Sequence, residues 1–205
     1  MKKYNFDFDY LEEKEQARIV KASVIPRPIA WITTLNETGS VNVAPFSYFT
    51  AISSTLLAVS FQKSNNIKKD TLLNILRTKE AVIHIVDKSI LNEMDESSRN
   101  FKRNESEVDN LKLKLEDSLK IKTPSLENTL LRLEVKLNSV VPLMDYNNKK
   151  EEADLLILRV VAATVKEEIY DFENNYILAE KLKPVARLAG ADYGEVKILD
   201  FKRNY

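Results

Sequence analysis

The chain contains no cysteine. That excludes a dithiol redox motif, iron–sulfur ligation, a thiol nucleophile and any cysteine-based zinc site. It contains one histidine, His84, so paired-histidine metal motifs are excluded too. Three glycines, Gly39, Gly190 and Gly194, cannot make a GxGxxG dinucleotide fingerprint or a Walker phosphate loop. An excess of one charge is also missing. Lys and Arg total 31, Asp and Glu total 31, and the formal net charge is zero. A general electrostatic grip on nucleic acid or anionic lipid is therefore not expected. No long apolar run exists: the stretch 153–165 is broken by Asp154 and Arg159 and is too short to span a bilayer. Met1-Lys2-Lys3 is followed by Tyr4 to Asp9, which is no apolar signal core. A cytoplasmic location is expected, in keeping with the lack of disulfide-forming residues.

What is present is a globular composition, 44% hydrophobic and 30% charged over 205 residues. We expect one domain spanning 1–205, large enough to need no covalent staple. The first dozen residues read as a loose arm or short edge segment. From Arg18 to Gln62 the pattern is of short strands separated by turns, as in an antiparallel barrel or sandwich. Arg18 to Ile25 reads as the first strand, and Pro26-Arg27-Pro28 interrupts its ladder. Ile29 to Thr34 and Ser40 to Ala44 flank a hairpin loop, Asn36 to Gly39, and Pro45 is expected to stop the second of them. Thr50 to Ser53 and Leu56 to Phe61 follow. Asp70 to Thr78 changes to helical period, with Leu72, Leu73, Ile75 and Leu76 on one face and Asn74 and Arg77 elsewhere. Asp70 is its expected N-cap. Ala81 to Val86 is a buried strand. Residues 87–126 form a charged excursion with short helices around Ile90 to Met94 and Val108 to Leu115. It reads as a solvated insert, with a lid or subunit contact as the alternative. Thr129 to Val141 alternates, Leu155 to Val165 is a central strand, and a short helix or turn lies near Tyr176 to Leu182.

Three clusters have chemical content. Asn42 to Ser47 ends a strand at a proline, so polar groups there can face a ligand. Lys68-Lys69-Asp70-Thr71 sits at a helix start, where free amides and lysines suit an anion; plain capping with solvated lysines is the alternative. Arg187 to Gly194 holds two of the three glycines, either for close approach to a ligand or for an ordinary turn. Trp31 and His84 lie in apolar strands and read as core residues, against a stacking ring and a catalytic base respectively.

In order, these segments resemble a known family. The signature is Arg27-Pro-Ile-Ala-Trp-Ile-Thr-Thr34, the Gly39 hairpin, Asn42-Val-Ala-Pro-Phe-Ser-Tyr-Phe49 and Val59-Ser-Phe61. Lys69-Asp-Thr-Leu-Leu-Asn74, Glu80-Ala-Val-Ile-His-Ile-Val86, Lys183-Pro-Val-Ala-Arg-Leu-Ala-Gly190 and Tyr193 complete it. The chain resembles the flavin reductase-like, FMN-binding split-barrel family over about residues 17–193. The resemblance implies a mainly β fold with flanking helices: a six-stranded antiparallel split barrel of Greek-key character. It also implies non-covalent FMN and a homodimer with the flavin near the interface. Asn42, Val43, Ala44, Pro45 and Ser47 would lie along the isoalloxazine and ribityl chain. Thr33 and Thr34 would add polar contacts, with Ser60, Phe61 and Gln62 further along. Lys68, Lys69, Asp70 and Thr71 would meet the phosphate, with Asn74 supporting that end. Arg27 would stabilise the reduced ring, and Arg187, Gly190 and Tyr193 would close the site. Two departures stand out. Ala189-Gly190 replaces a frequent Gly-Gly, and Asn65-Asn66-Ile67 stands where a glycine is frequent; asparagine tolerates the left-handed turn.

The implied function is an FMN-dependent oxidoreductase of the NAD(P)H:flavin reductase type, with NADH or NADPH as donor and a small-molecule or protein acceptor. No metal and no catalytic side chain are expected, since the cofactor carries the chemistry. The alternatives are an FMN-binding electron carrier or store, and a flavin-free interaction module.

Overall fold

The computed structural model describes residues 1–63, 67–99, 101, 105–145 and 149–201. Asn65 and Asn66, and with them the expected turn before the helix, lie outside the described residues. The chain opens with a helix, α1 (Glu13–Ser23), where Arg18 to Ile25 was expected to be a strand. The β-branched Ile19 and Val20 misled; the preceding Glu12 to Arg18 is rich in helix formers. Glu15 also accepts from the Glu12 N–H at 3.3 Å, which fixes the first turn. No residue of α1 is buried, so no packing demand opposes the local preference.

The strands then follow in quick succession: β1 (Arg27–Pro28), β2 (Ala30–Leu35), β3 (Val41–Phe46), β4 (Phe49–Ala51) and β5 (Leu56–Gln62). Helix α2 (Asp70–Thr78) and β6 (Glu80–Ile85) come next. The excursion carries α3 (Leu91–Glu96), α4 (Glu107–Asn110), β7 (Leu115–Glu116) and β8 (Ser125–Leu126). Two long strands, β9 (Leu131–Met144) and β10 (Glu151–Val165), complete the main sheet. The C-terminal part adds β11 (Tyr170–Asp171), β12 (Tyr176–Ile177), α5 (Ala179–Leu182), β13 (Val185–Arg187) and β14 (Tyr193–Glu195).

The main sheet has seven antiparallel strands in the order β3-β2-β6-β9-β10-β5-β4. That is one more than the six the family resemblance implied; the three-residue β4 stands where a strand was expected, shifted from residues 50–53 towards the N-terminus. The sheet curls so that β3 meets β5. The Phe46 and Phe61 rings lie 4.5 Å apart between centroids, although four strands separate theirs in the order. Inside the curl, Ile32, Val59, Phe61, Ile83, Val135, Leu156 and Leu158 form the core, and Leu72 and Ile75 of α2 enter it from one end. Asn74 points inward as well, against expectation: it is buried and donates to Thr34 Oγ1 at 3.0 Å. An amide is tolerated there because a buried hydroxyl receives it.

The opposite face of β2 is buried too. Ile29 and Trp31 pack with Val43, Ile90, Met94, Val108 and Leu126, so the excursion lies against the barrel wall. Trp31 Nε1 donates to Ser97 Oγ at 2.9 Å, and Thr33 Oγ1 donates to the Pro124 carbonyl at 2.8 Å. The hairpin after β2 forms as expected, with Asn36 Oδ1 accepting from the Thr38 and Ser40 N–H groups and Gly39 at φ +86°.

His84 lies fully buried between the layers. Its Nδ1 is 2.9 Å from the Trp31 carbonyl and so carries the proton, while Nε2 accepts from the Leu126 N–H at 3.0 Å. Both nitrogens are used by the neutral ring. Burial, the largest cause, holds its pKa down at about 4, against the ordinary 6.5. The unfolded chain therefore takes up a proton that the folded chain refuses. The stability so conferred is complete above the ordinary value of 6.5 and is lost as pH falls towards the folded value. It amounts to roughly 3 kcal/mol. Urea midpoints should fall between about pH 7 and about pH 4.5, and His84→Asn should flatten that segment of the profile. Equal slopes in both proteins would overturn the neutral assignment.

Candidate functional site

Strand β3 is an edge of the sheet, and its outward groups are met by the excursion. Ser106 Oγ donates to the Val41 carbonyl at 2.7 Å, and Glu107 Oε2 accepts from the Val43 N–H at 3.0 Å. The next outward position is Pro45, which has no N–H to satisfy. Proline therefore does not stop the strand, as was expected; β3 runs on to Phe46, with Pro45 opposite Trp31.

Beside this edge lies a cavity of about 360 Å³. Its walls come from three segments: Asn42 and Ala44 to Phe46, Ile67 to Thr71, and Ser97 to Arg99 with Phe101 and Glu107. The helix start in its wall differs from expectation. The N-cap is Lys69 and Asp70 is the first helical residue. The Lys69 side chain makes no cap hydrogen bond, and the helix start faces the cavity with the polarity that helix geometry gives it. Asn42 Nδ2 donates to Thr71 Oγ1 at 3.0 Å, so the threonine proton is directed to a further acceptor. Lys68 Nζ lies 3.3 Å from Asp154 Oδ1, a carboxylate buried on β10. The cavity holds Lys68, Lys69 and Arg99 against Asp70 and Glu107. Burial pushes the Glu107 carboxyl above the usual range, and the Val43 amide partly restrains it.

A second cleft, about 430 Å³, takes Arg18, Lys21 and Ala22 of α1, Arg27, Ser47, Tyr48, and Arg187, Leu188 and Gly190. Arg27 is buried; it donates to the carbonyls of Lys21, Val24 (2.9 Å) and Leu188 (3.1 Å). Arg187 stacks on Tyr193 with its guanidinium carbon 4.6 Å from the ring centroid, and donates to the Gly190 carbonyl at 2.9 Å. Gly190 sits at φ +60°, which favours glycine there.

The sequence-derived candidates thus divide. Asn42, Ala44, Pro45, Lys68, Lys69, Asp70 and Thr71 line the first cavity. Arg27, Ser47, Arg187 and Gly190 line the second cleft. Thr33, Thr34, Val43, Phe61 and Asn74 are buried and line neither. Gln62 borders a third hollow, and its amide donates to Ser60 at 3.3 Å. Tyr193 donates its hydroxyl to Asp95 at 2.6 Å, and burial, with that bond second, pushes its pKa up to about 12. Sequence reasoning missed Ser97 to Arg99, Phe101 and Glu107 in the first cavity, where no motif marks them. It missed Arg18 and Lys21 in the second. Their three-residue spacing puts them on one face of a helix, but that segment was read as a strand.

A profile of the flavin reductase like domain matches residues 22–179. The chain belongs to this family. It is 36% identical over 195 residues to the protein YwrF of Bacillus subtilis, covering 94% of this chain and 95% of that one. Its fold superposes on component B of nitrilotriacetate monooxygenase from Bacillus cereus with TM-score 0.92 and 33% identity, covering 99% and 100% of the two chains. A Shewanella frigidimarina protein with a split barrel domain superposes with TM-score 0.82 at 19% identity, covering 99% and 100%. The curled antiparallel sheet of this flavin reductase-like chain is therefore a split barrel.

The clasp on β3 has a measurable weight. Glu107→Ala leaves the Val43 amide without its acceptor and should cost about 1–3 kcal/mol in urea unfolding. Glu107→Gln keeps an acceptor and removes a buried charge, so stability should stay within about 0.5 kcal/mol. Equal losses in both variants would show that the contact is not what matters.

Proposed function

We propose that this protein is an FMN-dependent oxidoreductase that takes reducing equivalents from a reduced nicotinamide nucleotide and passes them to a further acceptor. The observation that carries the reading is the first cavity. It sets a helix start, two lysines and a directed threonine hydroxyl beside a strand end with small and proline residues. That donor set fits a phosphate monoester without a glycine-rich loop. In this reading Lys68, Lys69 and Thr71 hold the phosphate. Asp154 fixes the Lys68 ammonium. Asn42 orients Thr71, and Ala44 and Pro45 leave a flat wall for the flavin as it reaches Ser47. Bound FMN would supply hydride acceptance and one- or two-electron release. The side chains then bind, orient and exclude water, and no acid–base pair is required of them.

The buried Thr33, Thr34 and Asn74 support this site from behind; they tie β2 to the excursion and to α2. A homodimer belongs to the same reading. Exposed aromatic and aliphatic residues at both ends of the chain, among them Tyr4, Tyr10, Leu199 and Phe201, are what a second copy would cover. Among the described residues no helix is long and apolar enough to cross a membrane; the cytoplasmic location is part of this proposal.

The purified protein should show or acquire a flavin spectrum with FMN, and one reduced nicotinamide should bleach it. Binding without bleaching by either NADH or NADPH would leave an electron carrier or store. No flavin binding would sink both readings. The double variant Lys68→Ala, Thr71→Ala should weaken FMN binding by at least about 2 kcal/mol, some thirtyfold. Unchanged affinity would place the phosphate elsewhere.

A further inference from the structure

We propose that the second cleft holds the phosphate groups of the nicotinamide donor, and that it selects the 2′-phosphorylated nucleotide, NADPH. The proposal rests on the FMN reading above for the identity of the donor. The cleft itself stands on its own chemistry. Arg18, Lys21, Arg27 and Arg187 line it, and no carboxylate does. The whole chain has no net charge, so four cations around one hollow are a local concentration and not a reflection of composition. The first cavity, by contrast, balances three cations with two carboxylates.

Among the described residues neither arginine forms an ion pair. Arg27 is 9% exposed, and the hydrogen bonds from its terminal nitrogens all run to main-chain carbonyls. Its Nε is buried without a partner. Arg187 likewise bonds only carbonyls, of Gly190 and Asp192, and rests on the Tyr193 ring. A buried cation with no anion beside it is unfavourable until an anion arrives. Arg18 and Lys21 complete the arrangement from α1. Both are exposed and form no ion pair among the described residues. Ser47 and Tyr48 add hydroxyl donors at the base.

Position decides what kind of anion this serves. Pro45 and Phe46 line the first cavity, and Ser47 and Tyr48, the next two residues, line the second. The two hollows thus border one turn. A nicotinamide stacked on a flavin at that turn would have its phosphates within reach of the cationic cleft. NADH and NADPH share a pyrophosphate. Only NADPH brings a further dianion to a cleft with more cations than a pyrophosphate alone needs.

The test uses two compounds that lack nicotinamide, so binding is read without turnover. Calorimetric titration of the FMN-loaded protein with adenosine 2′,5′-bisphosphate should give at least about tenfold tighter binding than with 5′-AMP. The double variant Arg18→Ala, Lys21→Ala should weaken the bisphosphate at least about tenfold while keeping the flavin spectrum. These side chains sit on a helix with no buried residues, so the fold should survive. In turnover, the kcat/KM ratio of NADPH over NADH should fall by a similar factor. Equal binding of bisphosphate and AMP, or a variant that binds as the parent does, would overturn the proposal. So would inorganic phosphate competing as well as the bisphosphate, which would mark a general anion site. If the chain holds no FMN, it is the FMN reading that fails, and the same titration on the flavin-free chain still decides for or against the cleft.

Discussion

An edge strand must dispose of the backbone groups on its open side, and β3 does so by three different means. One carbonyl is met by the Ser106 hydroxyl, one amide by the Glu107 carboxylate, and one position is proline and has no donor. The pattern recruits a distant segment, more than sixty residues along the chain, to stand in for a neighbouring strand. Once α4 is fixed there, Ser97 to Arg99 and Phe101 also border the cavity beside β3. The excursion is thereby a wall of the site. The apolar contacts beneath it, from Trp31 and Val43 to Met94 and Val108, lock the same placement by burial.

Polar bookkeeping separates residues that hold the barrel from residues free to meet a ligand. Thr33, Thr34 and Asn74 spend their side-chain hydrogen bonds inside the protein. Thr71 accepts internally and keeps its proton for something outside, while Lys68 is steadied by a buried carboxylate from the far side of the barrel. Arg27 uses two nitrogens to join the end of α1 to the loop after β13, and in doing so brings α1 over the second cleft. The same guanidinium is both a clasp and a source of field.

Much of this was legible from residues alone. The helix Asp70–Thr78 and the hairpin around Gly39 follow from period and turn chemistry. So do the long strands β9 and β10. The failures have specific causes. Ile19 and Val20 have strand-like side chains, yet an exposed segment obeys its helix-forming neighbours when no sheet edge competes for it. Pro45 reads as a terminator only if its missing donor matters, and on an outward edge it does not. Thr33 and Thr34 alternate as a ligand-facing strand might, but the excursion buries the outer face, which no local pattern reveals. The walls contributed by Ser97 to Phe101 and Glu107 depend on a contact between remote segments, and their own sequence is irregular.

The tautomer of His84 has a consequence for the chemistry at large. The chain has no thiol, and its sole imidazole is kept neutral by burial, its tautomer fixed by a carbonyl on one side and an amide on the other. Tyr193 is held as a phenol by burial and by its carboxylate neighbour. The protein therefore offers neither a thiol nor an imidazole that changes charge around neutrality. A redox cofactor bound here would find no thiol or imidazole to exchange protons with. Its midpoint potential would then answer to its own ring protons and to the carboxylates lining the cavity, Glu107 among them, whose carboxyl burial pushes up.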